Sequence, residues 1–478
     1  MGEQADGEFG TPVLGDFDDP LRSGRRCVVT LSAREMNVQR SGYQSREVMQ
    51  LVDCIGCQVT GHELSVYFYP FGKSWPQAGT ARQRLVLRFK AENDEMARRW
   101  AWMVRERSRH ELPAQDGCRY GLLPQPCRAL VLVNPQGGSG QALSIFHNQV
   151  KKMLMEADIQ YTLLVTDKQN HARDLMRTAE LSQWDIVVIL SGDGLIFEVI
   201  NGLMERADWR DAIQKPLAIL PGGSGNALAS SINNYSRFPP VTGNNLLLNC
   251  TFLLCKGLIS PMDLMSVTTV SGHRLFSFLS VSWGFVSDVD IESERLRLIG
   301  GARFTLGTLW RLASLRVYRG KVAYLPLEAK IDSSPNSQQF TTGTNGPKDT
   351  LLVPLDQPVP SHWTLVEEEE LVLVLGVCQT HLGEDFICAP AALLSDGIIH
   401  LIVVKAGISR SALLSLFLAM EKGTHLQVQN PHVLYIQTRA FRLVPHSTKG
   451  YMTVDGERVE CGPIQAQVHH QLGRVISG

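Results

Sequence analysis

The sequence has no apolar segment long enough to cross a membrane. A transmembrane helix needs about 20 consecutive apolar residues, and the longest candidate, Leu246 to Leu258, is interrupted by Asn249 and Lys256. The sequence also shows no stretch typical of a signal peptide, and it lacks the Ser or Thr that N-myristoylation expects after Gly2. We therefore expect a soluble, cytoplasmic protein that reaches membranes peripherally, with nuclear residence as an alternative.

Net charge and cysteine content are also low. The chain carries 46 Lys and Arg against 47 Asp and Glu, a formal net charge of −1 over 478 residues, so bulk binding to nucleic acid is not expected. Ten cysteines do not make a disulfide framework in a chain of this length, and the single CxxC motif, Cys54–Cys57, has no second pair to complete a zinc site. We expect buried, reduced thiols and about two to four domains.

The most informative stretch is Asp185–Glu198. Its unbroken apolar run predicts a strand buried on both faces, as in a parallel sheet. The run ends in Ser191-Gly192-Asp193-Gly194 and continues as a helix through Glu205. The glycines let phosphate oxygens approach the backbone, beside a helix N-terminus that favours negative charge. Asp193 is then a cation ligand, a base that takes a proton from a hydroxyl group, or only an acceptor for turn amides.

Four strand–turn–helix units repeat from Arg128 onward. Right-handed crossovers place their turns on one edge of one parallel sheet, and three of the turns are rich in glycine, which is typical of a nucleoside triphosphate site. Neither GxGxxG nor GxxxxGK[ST] is present, which argues against Rossmann oxidoreductases and P-loop NTPases. The predicted strands are Ala129–Val133, Tyr161–Val165, Ile186–Leu190 and Leu217–Leu220, and the turns that follow them are Asn134–Gly140, Thr166–Asn170, Ser191–Gly194 and Pro221–Asn226.

The segment before this unit predicts a small β module. Four strand-like runs are followed by a helix that begins at Asn93 or Asp94, an arrangement that resembles a pleckstrin-homology-like (PH-like) domain. Basic side chains of this module either face lipid headgroups or form an ordinary solvated surface. The runs are Cys27–Leu31, Met36–Gln39, Leu64–Tyr69 and Arg84–Phe89, and the basic residues are Arg25, Arg26, Lys73, Arg82 and Arg84.

After about residue 260 the pattern predicts a mostly antiparallel, β-rich domain. Asp455-Gly456 is typical of a hairpin turn, a single strand is predicted over Leu275–Val281, and helices are predicted at Thr305–Tyr318 and from Ser409 to Lys422. The predicted boundaries are a disordered acidic tail (1–24), the PH-like regulatory module (25–111), a linker (112–126), an α/β nucleotide-binding domain (127–259), and a β-rich lipid-substrate domain (260–478) with a flexible insertion (331–360).

With these motifs the chain resembles the diacylglycerol-kinase-type lipid kinases, and among them the sphingosine kinases. General members of the superfamily have Gly where Ser191 stands, so the Ser-Gly-Asp-Gly turn indicates the sphingosine branch, and the N-terminal extension resembles that of its longer, type 2 members. The motifs that carry the resemblance are Asn134-Pro135 with Gly137-Gly138, Thr166–His171, Ser191–Gly194, Gly223–Asn226, Trp283–Glu294, Arg303–Thr308 and Thr453–Glu457.

The resemblance implies transfer of the γ-phosphoryl group of ATP, with Mg²⁺, to the primary hydroxyl of sphingosine or a related sphingoid base. It implies an active site in the cleft between the α/β and β-rich domains, with Asp193 as general base and Mg²⁺ bound mainly through ATP. The implied nucleotide-binding residues are Asn134, Pro135, Gln136, Thr166, Asp167, Lys168, Gln169, Asn170, Glu198, Gly223, Ser224, Gly225, Arg297, Arg303, Asp455, Gly456 and Glu457. The implied substrate-binding residues are Ser191, Gly192, Asp193, Gly194, Phe285, Asp290, Phe304 and Thr308.

Alternatives remain open at this stage. The chain phosphorylates another lipid alcohol, such as ceramide or diacylglycerol, or it is a catalytically inactive lipid-binding scaffold. Arg297 and Arg303 form a phosphate site, or with Glu292 and Glu294 they form only a surface ion-pair cluster. Leu306 and Leu309 line an acyl-chain tunnel or belong to an ordinary domain core, or with Trp310, at helical spacing, they form an exposed membrane-docking patch. The first glycine-rich turn has Gln136, Ser139 and Gln141 where relatives often carry basic residues, which weakens any electrostatic membrane contact there.

Overall fold

The computed structural model describes residues 11–20, 25–42, 45–72, 81–109, 121–138, 140–293, 302–328, 346–446 and 448–478, with side chains left out for 302–305. No helix in this part of the chain is both long and apolar enough to span a bilayer. The nine cysteines among these residues are free thiols and eight of them are buried, as composition predicts.

The N-terminal module is a seven-stranded antiparallel sheet closed by one helix. Trp100 of the helix Asp94–Arg109 is buried against Phe17 of the first strand, with ring centroids 5.1 Å apart. The prediction of a disordered tail is therefore wrong for Val13–Asp18, which pairs along its whole length with Arg26–Leu31. The strands are Val13–Asp18, Arg26–Leu31, Glu35–Arg40, Arg46–Gln50, Cys54–Thr60, Glu63–Phe68 and Leu85–Lys90.

The module packs directly on the α/β domain, and this placement corrects the prediction for one of its basic residues. Arg82 is buried, donates to Asp53 at 3.0 Å, and lies 3.6 Å from the ring centroid of Phe252, so it is not available to a lipid headgroup. Arg84 is exposed and donates to Glu156 at 2.7 Å. Arg25 and Arg26 are also exposed, and Lys73 lies outside the described residues.

The α/β domain contains the four predicted strands, all parallel. Their order across the sheet is Ile159–Val165, Cys127–Val133, Ile186–Ser191, Leu217–Pro221. The carboxyl ends of all four strands meet at one edge, as the repeat predicts, and this edge positions the site. The helices are Ala142–Ile145 with a π-helical segment Phe146–Val150 and Lys151–Glu156, then His171–Thr178, Asp193–Met204, Trp209–Ala212, Ala227–Tyr235 and Gly243–Lys256.

The β-rich domain continues the same sheet. Its last strand, Ile464–Ile476, pairs in parallel with Leu217 through Val475 and antiparallel with the strand Leu258–Thr268. The other strands are Arg274–Ser277, Ser280–Gly284, Tyr318–Pro326, Thr364–Leu365, Glu370–Val377, His381–Gly383, Phe386–Ile387, Ile399–Lys405, Val433–Pro445, Met452–Val454 and Glu457–Val459, and the helices are Phe285–Ser293, Ala302–Ala313 and Arg410–Glu421.

Three predictions for this domain differ from the structure. The helix predicted at Thr305–Tyr318 spans Ala302–Ala313, and Tyr318 begins the strand Tyr318–Pro326. The single strand predicted at Leu275–Val281 is two strands, because the amides of residues 278–280 turn toward the carboxylate of Asp455. The predicted flexible insertion is ordered from residue 346, since buried Asp349 pairs with Arg274 at 2.7 Å. Residues 329–345 lie outside the described part of the chain.

The predicted linker is also partly structured. Gly121–Leu122 pairs with the start of the strand Leu258–Thr268, and Leu123 is buried. Residues 110–120 lie outside the described residues. The pairing of Gly121–Leu122 and the burial of Leu123 fix the point where the linker enters the α/β domain.

Candidate active site

Three glycine-rich turns touch one another backbone to backbone at the carboxyl edge of the parallel sheet. A Cβ atom built on Gly223 would lie 2.3 Å from the Cα of Gly192, and one built on Gly138 would lie 2.9 Å from the carbonyl oxygen of Gly222. Side chains are therefore excluded at these contacts. The result is a surface of peptide groups formed by the three turns, here called the glycine cradle, which fits the oxygen-rich face of a triphosphate.

Ser191 and Asn134 shape the first side of this cradle. The hydroxyl of Ser191 is buried beneath Gly137, 3.1 Å from where a Cβ atom would lie. Asn134 accepts from the amide of Gln136 at 2.9 Å, closing a tight turn. The predicted residues Asn134, Pro135 and Gln136 thus lie on one rim of the glycine cradle.

Asn226 organises the turn that holds Gly223, Ser224 and Gly225. Its side-chain oxygen accepts from the amides of Gly222 (3.2 Å) and Gly223 (2.9 Å), and its side-chain nitrogen donates to the carbonyl of Gly223 (3.0 Å). The residue adopts a left-handed conformation with φ of 53°, which Asn tolerates better than most residues. The backbone of the whole turn is thereby fixed.

Asp193 lies at the first position of the helix Asp193–Met204, at the edge of the cradle. Its two carboxylate oxygens accept from the amides of Ala227 (3.0 Å) and Leu228 (3.2 Å), at the N-terminus of the helix Ala227–Tyr235. Burial raises the pKa of Asp193, and these amides oppose the rise. The residue keeps partial exposure, and each oxygen retains a further lone pair, so the carboxylate can still accept a proton.

The turn Thr166–Asn170, with Asp167, Lys168 and Gln169, lies at the carboxyl end of the neighbouring strand. Glu198 holds it, because its carboxylate accepts from the amides of Asn170 (2.9 Å) and Ala172 (3.1 Å). Glu198 therefore caps the helix His171–Thr178. The carboxylate of Glu198 therefore determines the position of this turn.

The hairpin turn Asp455-Gly456-Glu457 reaches the same edge from the β-rich domain. A Cβ atom built on Gly194 would lie 2.9 Å from a carboxylate oxygen of Glu457, and one built on Gly456 would lie 3.2 Å from a carboxylate oxygen of Asp290. The hairpin therefore lies next to the first turn of the helix Asp193–Met204. It also lies next to Asp290, the residue predicted to bind the head of the substrate.

Asp455 itself points into the protein. Its carboxylate accepts from the hydroxyl of Ser277 (2.5 Å) and from the amides of Phe278, Leu279 and Ser280 (2.8–3.0 Å). Burial raises the pKa of Asp455 to about 7, against the effect of these donors. The carboxylate is fully engaged, so Asp455 positions the hairpin and does not offer its side chain to a nucleotide.

An apolar cluster lies beyond Asp290. Phe285 stacks on Phe417 of the helix Arg410–Glu421, with ring centroids 5.2 Å apart, and both are buried. Thr308 lies on the neighbouring helix Ala302–Ala313. Other members of the cluster are Val289, Leu312, Leu413, Leu416 and Met420.

The predicted basic residues of this region are only partly described. Arg297 lies outside the described residues, as do the side chains of Arg303 and Phe304. Glu292, which the ion-pair alternative assigned to Arg297 and Arg303, pairs with Arg311, and Arg311 also lies 3.3 Å from buried Asp288. These pairs hold the helix Ala302–Ala313 against the helix Phe285–Ser293.

Sequence reasoning missed Glu384. Its carboxylate accepts from the side chain of Asn226 at 2.6 Å, across 158 positions of sequence. No motif or spacing carries a signal for that contact. Within the described ranges, no group of three or more His, Cys, Asp or Glu side chains could hold a metal ion.

Comparison with known proteins identifies the family. Residues 128–267 match the diacylglycerol kinase catalytic domain, and residues 361–477 match the YegS C-terminal NAD kinase beta sandwich-like domain. Mouse sphingosine kinase 1 is 53% identical over 361 residues, which cover 76% of this chain and 94% of that protein. The chain belongs to the sphingosine kinase family.

Other relatives extend this result. Human sphingosine kinase 2 is 36% identical, and its match covers 98% of this chain and 91% of that protein, so it includes the N-terminal module. The match to the type 1 member has higher identity but covers a smaller share of this chain. A solved structure from Bacillus anthracis assigned to the diacylglycerol kinases aligns over 73% of this chain and 97% of that one, with a TM-score of 0.50 and 19% identity; it supports the fold of the α/β and β-rich domains.

Proposed function

We propose that the chain transfers the γ-phosphoryl group of ATP to the primary hydroxyl of sphingosine, giving sphingosine 1-phosphate. Membership of the sphingosine kinase family makes it an ATP-dependent lipid kinase. The observation that carries the residue-level proposal is the position of Asp193, a partly exposed residue whose carboxylate accepts from two helix amides at the edge of the glycine cradle.

Asp193 acts in this proposal as general base. Its carboxylate takes the proton of the lipid hydroxyl as the oxygen attacks the γ-phosphorus, and the bond from that phosphorus to the β–γ bridging oxygen breaks to release ADP. A raised pKa suits this role, because it makes the carboxylate a better proton acceptor. Phosphoryl transfer otherwise needs positioning and charge neutralisation.

The peptide groups of Gly192, Gly138 and Gly223 would hold the phosphates, because the cradle they form excludes side chains. Asn134 and the turn Thr166–Asn170 flank that cradle and would contact the rest of the nucleotide. Mg²⁺, bound through the phosphate oxygens, would neutralise charge that develops on them. Gly456 and Glu457 would close the site from the β-rich domain, and Arg297 and Arg303 would add guanidinium contacts to phosphate.

Asp290 would bind the ammonium group of sphingosine. It lies next to the hairpin at Gly456 and on the helix that carries Phe285 into the apolar cluster. A polar head near Asp290 places an alkyl chain among Phe285, Phe417 and their neighbours, with Phe304 and Thr308 on the adjacent helix. Diacylglycerol and ceramide lack that ammonium, so this carboxylate favours sphingosine.

Peripheral membrane contact is the last part of the proposal. Leu306, Leu309 and Trp310 are 50%, 51% and 72% exposed on one helix beside the apolar cluster, which favours contact with a lipid surface over the tunnel alternative. The N-terminal module, a sheet closed by one C-terminal helix, supports a PH-like assignment. We propose a cytoplasmic location with reversible membrane binding.

The test is a substrate panel with purified protein. Sphingosine, ceramide and diacylglycerol are presented in identical mixed micelles with radiolabelled ATP and Mg²⁺. We expect labelled phosphate in sphingosine and at most a few per cent of that rate with the other two. Preferential labelling of ceramide or diacylglycerol would overturn the substrate assignment, and absence of transfer to all three would favour a non-catalytic scaffold.

A further inference from the structure

Glu384 joins the β-rich domain to the nucleotide turn. It lies between the short paired strands His381–Gly383 and Phe386–Ile387, and Phe386 lies 6.0 Å from Phe417 of the apolar cluster, centroid to centroid. One carboxylate oxygen accepts from the side-chain nitrogen of Asn226 at 2.6 Å, and the other accepts from the amide of Gly243 at 2.9 Å. A single carboxylate therefore contacts two separate parts of the α/β domain.

Both contacts are at helix N-termini. Gly243 begins the helix Gly243–Lys256, whose N-cap residue makes no side-chain capping bond, and Asn226 precedes the helix Ala227–Tyr235. A carboxylate at such positions is stabilised by the helix dipole and by amides that have no partner within the helix. Asn226 is buried. Its side-chain amide donates one N–H to the carbonyl of Gly223 and the other to Glu384, so removing Glu384 leaves a buried donor without an acceptor.

Asp193 and Glu384 approach the same helix from two sides. Asp193 accepts from Ala227 and Leu228, directly after Asn226. Gly383 also lies near the carbonyl oxygen of Gly225, and Gly225 in turn lies near a carboxylate oxygen of Asp193. The strand pair at Glu384 thus supports, from behind, the turn against which the proposed base rests.

We propose that Glu384 is a positioning residue, which fixes the turn Gly222–Asn226 beside Asp193 and couples the lipid-binding part of the chain to the phosphoryl-transfer site. The inference deepens the proposed function and rests on Asp193 being its base. Glu384 itself touches neither substrate.

The charge of Glu384 also acts on Asp193, because it contributes to the raised pKa of that carboxyl group after burial. Among the described residues, the other charged side chains near Asp193 are Glu457, which faces Gly194 from the hairpin, and Glu198, which is turned to the amides of Asn170 and Ala172. His381, on the same strand pair as Glu384, has a pKa lowered to about 4 by burial and is neutral at the pH of the assay.

Three variants separate these effects. Glu384→Gln keeps the size and one acceptor oxygen but removes the charge. Glu384→Ala removes both hydrogen bonds. Asp385→Asn is the matched control, since Asp385 is the exposed neighbour on the same turn. Each is assayed for kcat and KM of ATP and sphingosine across pH 5 to 9, with the melting temperature measured alongside.

We expect the acid limb of the kcat/KM profile to move to lower pH in Glu384→Gln, by on the order of 0.5 pH unit, because the carboxyl group of Asp193 loses a negative neighbour. In Glu384→Ala we expect the KM of ATP to rise about tenfold, the equivalent of one lost hydrogen bond to a charged group. Asp385→Asn should match the wild type in both readouts.

Superimposable pH profiles for Glu384→Gln and Asp385→Asn would overturn the inference, and so would a lowered melting temperature in Glu384→Ala with an unchanged KM for ATP. These outcomes differ from failure of the proposed function itself, in which the wild type transfers no phosphate to sphingosine or Asp193→Asn remains as active as the wild type.

Discussion

Tyr69 of the N-terminal module donates a hydrogen bond of 2.6 Å to Glu156 of the α/β domain, and Arg84 of the module donates to the same carboxylate at 2.7 Å. Glu156 is buried at the end of the helical segment that follows the first glycine-rich turn. The module is therefore connected through one helix to a rim of the nucleotide cradle.

Replacing Glu156 with Ala should destabilise this interface. The hydroxyl of Tyr69 would lose its acceptor inside the protein, so we expect the free energy of unfolding to fall by about 1–3 kcal/mol. Urea unfolding followed by tryptophan fluorescence measures this change. The control is Arg98→Ala, which removes only an exposed ion pair with Asp94 and should change stability by less than about 0.5 kcal/mol. Equal effects of the two substitutions would show that the interface contributes little.

The glycine cradle predicts that Gly223→Ala disrupts nucleotide binding. The added methyl group would meet the Cα of Gly192 at 2.3 Å, so the two turns must separate. We expect the affinity for ATP to fall at least about tenfold, since the peptide groups that hold the phosphates move apart. Titration with a fluorescent ATP analogue measures the affinity. Gly473→Ala, whose new Cβ would make only contacts of 3.6 Å or more, should bind as the wild type does; an unchanged affinity in Gly223→Ala would contradict the cradle.

Asp455→Asn should destabilise the hairpin turn without removing a side chain that contacts the nucleotide. Four donors converge on the carboxylate of Asp455, and an amide offers one acceptor oxygen and places an NH₂ group against the remaining donors. We expect a loss of about 1–3 kcal/mol in unfolding free energy and a raised KM for ATP. A variant with wild-type stability would show that these hydrogen bonds are replaceable.

Asp290→Asn should affect sphingosine and not ATP. If the carboxylate binds the ammonium group, we expect the KM for sphingosine to rise about tenfold or more, as for a lost hydrogen bond to a charged group. The KM for ATP should change less than twofold. An N-acylated sphingosine, which carries no charge, serves as control because its rate should not fall further in the variant. Equal rises in both KM values would argue against a substrate-head site at Asp290.

Much of the fold follows from the sequence, because the spacing of apolar residues and the handedness of the strand crossovers determine it. The unbroken run before Ser191 predicts a central parallel strand, and right-handed crossovers predict that its turn meets those at Asn134 and Gly223, as the structure confirms. The strand Val13–Asp18 escaped prediction since two of its three exposed positions are acidic and only Gly15 and Phe17 are buried. Its partner strand, not local composition, determines its structure.

The site is harder to predict in detail because its carboxylates are used in different ways. Asp193, Glu198, Asp455 and Glu384 each accept from backbone or side-chain donors, but Asp455 is buried whereas the other three keep partial exposure. A motif gives the position of a carboxylate in the chain. Its direction depends on which donors lie nearby, and for Glu384 and Asp455 these belong to segments more than 140 residues away.

The most direct test of the account is phosphate transfer by Asp193→Asn. Radiolabelled ATP and sphingosine are supplied at saturation, and ATP-analogue affinity and melting temperature are measured on the same preparation. If Asp193 is the base, kcat falls by about 10²–10⁴-fold while the variant still folds and binds nucleotide. A folded variant that keeps kcat within a few-fold of the wild type would contradict the assignment.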